Sequence, residues 1–207
     1  MKIKLSNFTA AVGLLVMLAI HPSHAAAGQA ADQLKKTVDT VLNILNDSSL
    51  KGEAKKAERR QKLREVIYAR FDFPDMAKRS LGAQWQKRSP AEQKEFTEAF
   101  TDLLEGAYVD KLESYNGEKV RFVNDRQDQD HTEVSTKVVD KKGQEYSVDY
   151  RLHQVNGDWK VSDVVIENVS LVNNYRSQFN RVLAKSSYQE LLDTMKQKKF
   201  SAPAAKS

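Results

Sequence analysis

Residues that could perform acid–base or metal chemistry are few and scattered in this sequence. The 207-residue chain has no cysteine and four histidines. His21 and His24 fall in an N-terminal segment that has the features of a leader. His131 lies in the polar stretch RQDQDHTE and is expected in a solvated loop, and His153 falls on the polar phase of a strand and is expected to face water. Two separated histidines without cysteine make no metal motif, so no metal site and no catalytic histidine is predicted.

Other catalytic patterns are also absent from the sequence. It contains no G-x-S-x-G, no phosphate loop and no dinucleotide fingerprint, and DRQDQD lacks the glycine and distal glutamate of a calcium loop. Asp149 and Asp163 lie on predicted strands, where alternation is expected to turn their side chains outward. The sequence therefore predicts no catalytic residues and no cofactor, and an enzyme is not the expected class.

Aromatic side chains are the more informative group. A buried tyrosine needs a partner for its hydroxyl, so several tyrosines around one dry core would be unfavourable. They fit better around the mouth of a cavity, with the rings inside and the hydroxyls at the rim. This pattern points to a hydrophobic ligand site, while ordinary core packing stays open for each residue. The aromatic residues on predicted inward faces are Phe100, Tyr108, Tyr146, Tyr150, Tyr175 and Phe179.

The elements that position these residues are helical in the first half of the chain. Apolar residues between Leu34 and Leu45 recur at helical spacing, and a second helix is predicted from about Glu53 to Tyr68. A third contains Pro74 in its first turn and ends before Gly82. The segment SPAE at 89–92 is a capping box that begins the most strongly patterned helix.

From residue 119 onward, apolar residues recur at every second position, as in β-strands. Four strands are predicted, with a bulge at Ser162–Asp163 where the apolar phase shifts. Two helices follow, the first capped by Ser170. The predicted fold class is α+β: a bent four-stranded antiparallel meander wrapped by N- and C-terminal helices around an apolar cavity.

Composition and charge indicate the limits of the domain and the compartment in which the protein is expected. Residues 1–27 read as a signal peptide with cleavage near 25–27, residues 28–200 as a single domain, and residues 201–207 as a disordered tail. An exported chain without cysteine suits a bacterial periplasm. The net charge of +5 falls to about +3 without the two signal lysines, which argues against nucleic acid. The basic runs 55–64 and 196–199 are interpreted as solvated helix faces, with docking to an anionic membrane or acidic partner as the alternative.

Two long segments resemble a known family. FDFPDMAKRSLGAQWQKRSPAEQKEFTEAFTDLLEGAY (71–108) and GDWKVSDVVIENVSLVNNYRSQF (157–179) closely resemble the MlaC family of periplasmic phospholipid-binding proteins, also called toluene-tolerance auxiliary proteins. The resemblance covers nearly all of the chain after the predicted signal peptide. Asn168 departs from the pattern, where glycine is expected, and asparagine tolerates the left-handed backbone of such a turn.

The resemblance implies a fold, a function and partners. It implies an NTF2-like fold and a monomeric, non-enzymatic carrier without cofactor in the periplasm of a Gram-negative bacterium. Such a carrier ferries phospholipid between an outer-membrane lipoprotein–porin complex and an inner-membrane ABC transporter complex with MCE domains. Two alternatives stay open: an NTF2-like enzyme acting on a small hydrophobic substrate, and an interaction module with a filled core.

On this interpretation the lipid-binding residues line the cavity and Arg176 is a possible head-group contact. Because an arginine can donate two hydrogen bonds to a phosphate, its position beside Tyr175 suits that role, with an ordinary surface ion pair as the alternative. The expected lipid-binding residues are Leu81, Phe100, Leu104, Tyr108, Val120, Phe122, Val134, Tyr146, Val148, Tyr150, Val164, Ile166, Leu171, Tyr175 and Phe179.

Overall fold

The computed structural model describes residues 23–200. The predicted tail and most of the predicted signal peptide lie outside the described residues. Short 3-10 segments occupy Ser48–Leu50, Glu53–Lys55 and Gly82–Lys87. The helices are α1 (Ser23–Asn46), α2 (Lys56–Arg70), α3 (Phe73–Leu81), α4 (Pro90–Glu113), α5 (Leu171–Leu183) and α6 (Tyr188–Lys196).

Local sequence chemistry sets the helix ends where it was expected to. The Ser89 side chain accepts from the Glu92 backbone N–H and the Glu92 carboxylate accepts from that of Ser89, so the predicted capping box is present. Gly82 ends α3 with φ of 61°, a left-handed conformation that suits glycine. Ser170 caps α5 by accepting from the backbone N–H of Asn173.

The sheet is antiparallel and has the strand order β1-β2-β3-β4-β5. The predicted α+β class and meander are confirmed, but the sheet has five strands, not four. A two-residue strand after β4 pairs with its end, and two residues are too few for an alternating pattern to show in the sequence. The strands are β1 (Lys119–Asp128), β2 (His131–Val139), β3 (Glu145–Val155), β4 (Asp158–Ile166) and β5 (Val169–Ser170).

Two bulges interrupt the ladders. One lies at Ser162, where the β3–β4 register skips a residue, and it confirms the bulge predicted from the phase shift. The other lies at Val123 in β1, the edge strand. Each bulge increases the local twist and bends the sheet. The turn from β4 to β5 places Glu167 and Asn168 at positive φ, and for Asn168 this is the left-handed backbone that was expected.

The apolar side chains form two clusters. The first, the helical core, is built between α3, α4, α5 and α6. The second, the sheet-side cluster, lies between the sheet and the first half of α1, with Leu171 of α5. No helix among residues 23–200 is long and apolar enough to span a membrane. The sheet-side cluster consists of Ala30, Leu34, Val134, Leu152, Trp159, Val161, Val164 and Leu171.

Candidate functional site

The inner face of the sheet, which carries the sheet-side cluster, changes from buried to half-exposed along the strands. Where β2 begins and β3 ends, Val134, Leu152 and Val161 are almost inaccessible to solvent. Towards the opposite end the inner face is mostly apolar and only partly covered, apart from the buried Thr136 between Phe122 and Val148. We call this second part the open half; it consists of Val120, Phe122, Val138, Tyr146, Val148, Tyr150 and Ile166.

Two helices border the open half. Val38 of α1 and Tyr108 of α4 pack against the sheet-side cluster together with Phe122 and Tyr150. Burial raises the pKa of Tyr150 to about 12, so its hydroxyl is neutral at physiological pH. An uncharged, half-covered apolar surface of this kind between sheet and helices is suited to binding hydrocarbon rather than a charged group.

The expected lipid-binding residues are divided among three places. Tyr108 lies at the boundary and packs against both clusters. Two further residues were not among those expected: Val138 of the open half and Val38 at its border. Val138 could have been included, because it alternates in phase with Val134. Of the expected residues, the open half contains Val120, Phe122, Tyr146, Val148, Tyr150 and Ile166, the sheet-side cluster contains Val134, Val164 and Leu171, and the helical core contains Leu81, Phe100, Leu104, Tyr175 and Phe179.

The helical core is filled by protein side chains. The ring of Phe100 meets those of Tyr175 and Phe179 edge to face, with centroids 5.8 and 6.2 Å apart. Phe96 completes the group at 5.7 Å from Phe179. These distances are typical of a packed aromatic core. The rings of Tyr175 and Phe179 therefore pack against protein side chains, whereas Leu171, at the start of the same helix, belongs to the sheet-side cluster.

Arg176 lies in a separate pocket of about 370 Å³, next to the outer face of β3 and β4. A Cβ added to Gly82 would come 3.1 Å from Nε of Arg176, so the guanidinium packs close to the glycine. Lys78, Arg79 and Arg151 also line the pocket, against one carboxylate, that of Asp163. This pocket is cationic and lies on the opposite side of the sheet from the open half, so it is a different kind of site.

Asp163 lies opposite Arg151 on the outer face of the sheet, as alternation predicted, but its side chain is almost fully buried. Its carboxylate accepts from Ser170 Oγ at 2.6 Å and from the backbone N–H of Val172 at 3.1 Å. Nη1 of Arg151 lies 3.4 Å away. The side chain is buried because the N-terminus of α5 covers the outer face of the sheet at this position. Asp163 thereby joins β4 to the N-terminus of α5.

His153 is half-buried, which corrects the expectation that it faces water. Its Nε2 lies 2.8 Å from the Asp72 carboxylate, which also accepts from the backbone N–H of Asp75 at the start of α3. Asp72 comes from a distant part of the sequence and covers the outer face of β3. His131 is exposed at the start of β2, with its ring centroid 6.2 Å from that of His153. The described part of the chain holds no group of three or more possible metal ligands.

Much of the basic run 55–64 is paired within the protein. Arg59 and Arg60 of α2 both donate to Glu113 at the end of α4, and Arg64 donates to Glu105. Burial opposes ionisation of Glu113, but the hydrogen bonds from Arg60 and Arg59 outweigh it and lower its pKa. We call these contacts the α2–α4 clasp. From the sequence, the same charges were interpreted as a solvated helix face, with a docking surface as the alternative.

Comparison with known proteins agrees with this architecture. The family model of the MlaC protein matches residues 35–197, which include the second half of α1, helices α2 to α6 and the whole sheet. The chain belongs to the MlaC family. Both segments that carried the resemblance, 71–108 and 157–179, fall inside this match.

Individual relatives are distant in sequence. The chain is 26% identical over 172 residues to the toluene tolerance protein ttg2D of Pseudomonas putida, covering 81% of this chain and 79% of the relative. It is 23% identical over 122 residues to the intermembrane phospholipid transport system binding protein MlaC of Haemophilus influenzae, covering 56% of this chain and 57% of that protein.

A solved structure is also similar. The phospholipid-binding protein of Ralstonia solanacearum, determined in complex with a phospholipid, superposes with a TM-score of 0.72 at 25% identity. The match covers 82% of this chain and 96% of that protein. Most of the described fold is therefore shared with this solved structure.

Proposed function

We propose that this protein binds the acyl chains of a phospholipid against the open half of the inner face and carries the lipid through the periplasm. The observation that carries the proposal is the open half itself. Val120, Phe122, Val148 and Ile166 share a sheet face that the helices leave partly uncovered, with Thr136 between Phe122 and Val148. An apolar surface of this kind marks a ligand site more often than a defect in folding.

The relatives support this cargo. The Ralstonia protein was solved with a phospholipid, and the Haemophilus relative is named as the binding protein of an intermembrane phospholipid transport system. Each buried methylene stabilises the complex by about 0.8 kcal/mol, so enclosing one long acyl chain contributes on the order of 10 kcal/mol. A carrier that covers the chains can therefore take a lipid through water that the lipid would not cross alone at a useful rate.

The route follows from family membership. We propose that the protein takes lipid between an outer-membrane lipoprotein–porin complex and an inner-membrane ABC transporter complex with MCE domains, as a monomer exported by its signal peptide. Most of the basic run 55–64 is engaged within the protein, so that run is a weaker candidate for docking than the sequence suggested.

Catalysis is the main rival function. The acid–base pair of His153 and Asp72 lies on the outer face of the sheet and braces the start of α3. A substrate bound against the open half would be separated from this pair by the sheet. The pair therefore supports a structural role, and a non-enzymatic carrier remains the function that the geometry favours.

The experiment compares two adjacent residues of β1, one on the open half and one at the exposed bulge. Phe122→Glu places a carboxylate on the open half, whereas Val123→Glu places one at the bulge, where the side chain is 57% exposed. We expect native mass spectrometry to find co-purified phospholipid on the wild type and on Val123→Glu, and none on Phe122→Glu. Circular dichroism checks that both variants are folded.

Two results would contradict the proposal. Wild-type protein that carries no phospholipid and takes none up from vesicles would favour an interaction module with a filled core, or an enzyme with a small ligand. Equal lipid retention by Phe122→Glu and Val123→Glu would show that the lipid binds elsewhere. Tyr150→Glu, also on the open half, provides a second test and is expected to behave like Phe122→Glu.

A further inference from the structure

Two tyrosine hydroxyls are buried without a partner. Oη of Tyr108 and Oη of Tyr175 are inaccessible to solvent, and neither forms a hydrogen bond with any of residues 23–200. The whole Tyr175 side chain is buried. Other tyrosines do have partners: Tyr68 donates to Glu105, and Tyr188 donates to the backbone carbonyl of Glu92 at 3.0 Å. Because an unpaired buried hydroxyl is unfavourable, the exceptions call for a ligand or a specific solvent molecule.

Both tyrosines pack in or against the helical core. Tyr108 also packs against the sheet-side cluster. Tyr175 lies in the helical core, with its ring against Phe100. Burial raises the pKa of Tyr108, and Tyr175 raises it further. Burial also raises the pKa of Tyr175 to about 12, so both groups are protonated donors at neutral pH.

A surface cation lies over the ring of Tyr108. The ammonium of Lys111, one turn further along α4, is 5.5 Å from the centre of that ring, and the Lys111 side chain is exposed. At Tyr108 the order from the solvent inward is thus a cation, then a buried hydroxyl. A glycerophospholipid has the matching order, because its phosphate lies outermost and its two ester carbonyls lie between the phosphate and the acyl chains.

The surroundings select the kind of acceptor. Phe100 and Phe179 flank Tyr175, so a phosphate beside its hydroxyl would lose its hydration without gaining a counter-ion. An acyl chain offers no acceptor. An ester carbonyl is uncharged and accepts hydrogen bonds, and a diacyl lipid presents two of them for two donors.

We propose that Tyr108 and Tyr175 form a polar subsite that donates hydrogen bonds to the ester carbonyls of a bound diacyl glycerophospholipid. This rests on the proposed function, since it needs a phospholipid with its chains on the inner face. The subsite fixes the depth at which the lipid stops, and it makes the carrier selective for ester-linked over ether-linked lipids while leaving the head group free to vary.

The test measures competition between two lipids that differ only in this linkage. Full-length protein freed of lipid is mixed with equal amounts of dipalmitoyl phosphatidylglycerol and its di-O-hexadecyl ether analogue, and native mass spectrometry counts the bound species. Two neutral hydrogen bonds predict a preference of about tenfold for the diester. Tyr108→Phe and Tyr175→Phe should each reduce the preference, and the double variant should bind both lipids equally.

A matched control is Tyr188→Phe, which removes a hydroxyl that already has a backbone partner and should leave the preference unchanged. Equal binding of the two lipids by the wild type, or a preference that survives in the double variant, would overturn the subsite, as expected if the hydroxyls bind only water. Failure to bind a lipid of either linkage would overturn the proposed function itself. The Phe substitutions remove only unpaired oxygens, so the variants are expected to fold.

Discussion

The helical core and the open half are built from similar residues and differ in what covers them. Phe100 of the helical core has no exposed surface and lies among Phe96, Tyr175 and Phe179. Phe122 of the open half is only partly covered, although it also points to the inside of the fold. On the proposed function, the acyl chains complete the open half, whereas the packed rings of the helical core contribute mainly to stability.

The same substitution in each region tests this contrast most strongly. We expect Phe100→Ala to lower the free energy of unfolding of the lipid-free protein by about 3–5 kcal/mol, because it leaves a cavity in a packed core. Phe122→Ala should lower it by about 1 kcal/mol, because much less surface is buried there. Urea denaturation of both delipidated variants measures the difference. Equal losses would mean that the open half contributes to the core like any other buried surface.

Asp163 connects strand β4 to the start of α5, and removing its charge should weaken this connection. The two carboxylate oxygens of Asp163 accept hydrogen bonds from Ser170 Oγ and from the Val172 N–H. Asp163→Asn keeps the shape of the side chain but replaces one of these two acceptors by an amide NH2 group. It also leaves Arg151 without its buried carboxylate. We expect a loss of about 1–3 kcal/mol, measured by thermal denaturation.

Ser170→Ala is the reference for this effect, since it removes the cap of α5 and one of the hydrogen bonds to Asp163 while keeping the carboxylate. Its expected loss is about 1 kcal/mol. If Asp163→Asn were as stable as the wild type, Asp163 would not hold α5 to the sheet.

The α2–α4 clasp should have a smaller effect that reaches α2 alone. Glu113→Gln removes the carboxylate shared by Arg59 and Arg60, and we expect a loss of about 1–2 kcal/mol. Because Leu63 is the one buried residue of α2, the loss should appear as faster amide hydrogen exchange in α2. Glu98→Gln, at an exposed position on α4, the helix that also carries Glu113, is the control. It should change neither the stability nor the exchange rate of α2.

The pH dependence of the clasp has a defined sign. The pKa of Glu113 is lowered in the folded protein, so its contribution is complete above the ordinary glutamate pKa and is lost as the pH falls through the lowered value. The exchange rate of α2 in the wild type should therefore approach that of Glu113→Gln in acid. Protection of α2 that did not change between neutral and acidic pH would contradict the role of the clasp.

Sequence patterns predicted local structure well because the signals are local. Pro74 and Gly82 bound α3, the Ser89–Glu92 box begins α4, and the phase shift in β4 revealed its bulge. Alternation also placed Asp163 correctly on the outer face, but it could not show that the start of α5 covers that face and buries the carboxylate. His153 was misjudged because Asp72, far away in sequence, covers that strand.

The site was harder to predict than the fold for one physical reason. Helical periodicity shows which face of a helix points inward, but not which of two interiors it meets. Phe100 and Phe179 follow the inward pattern as well as Tyr108 does, yet only Tyr108 reaches the sheet-side cluster. In the strands there is one apolar face, so Val120, Phe122, Val148 and Tyr150 could be assigned to it from period two alone.

The bulge at Val123 has a consequence for how this protein behaves in a crowded compartment. β1 is an edge strand of ten residues, long enough to recruit a strand from another molecule and start an aggregate. The bulge breaks the flat run of backbone donors and acceptors, and Arg121 and Arg126 add charge on either side of it. We therefore expect the chain to remain dispersed at high concentration, even with an apolar surface only a few residues away.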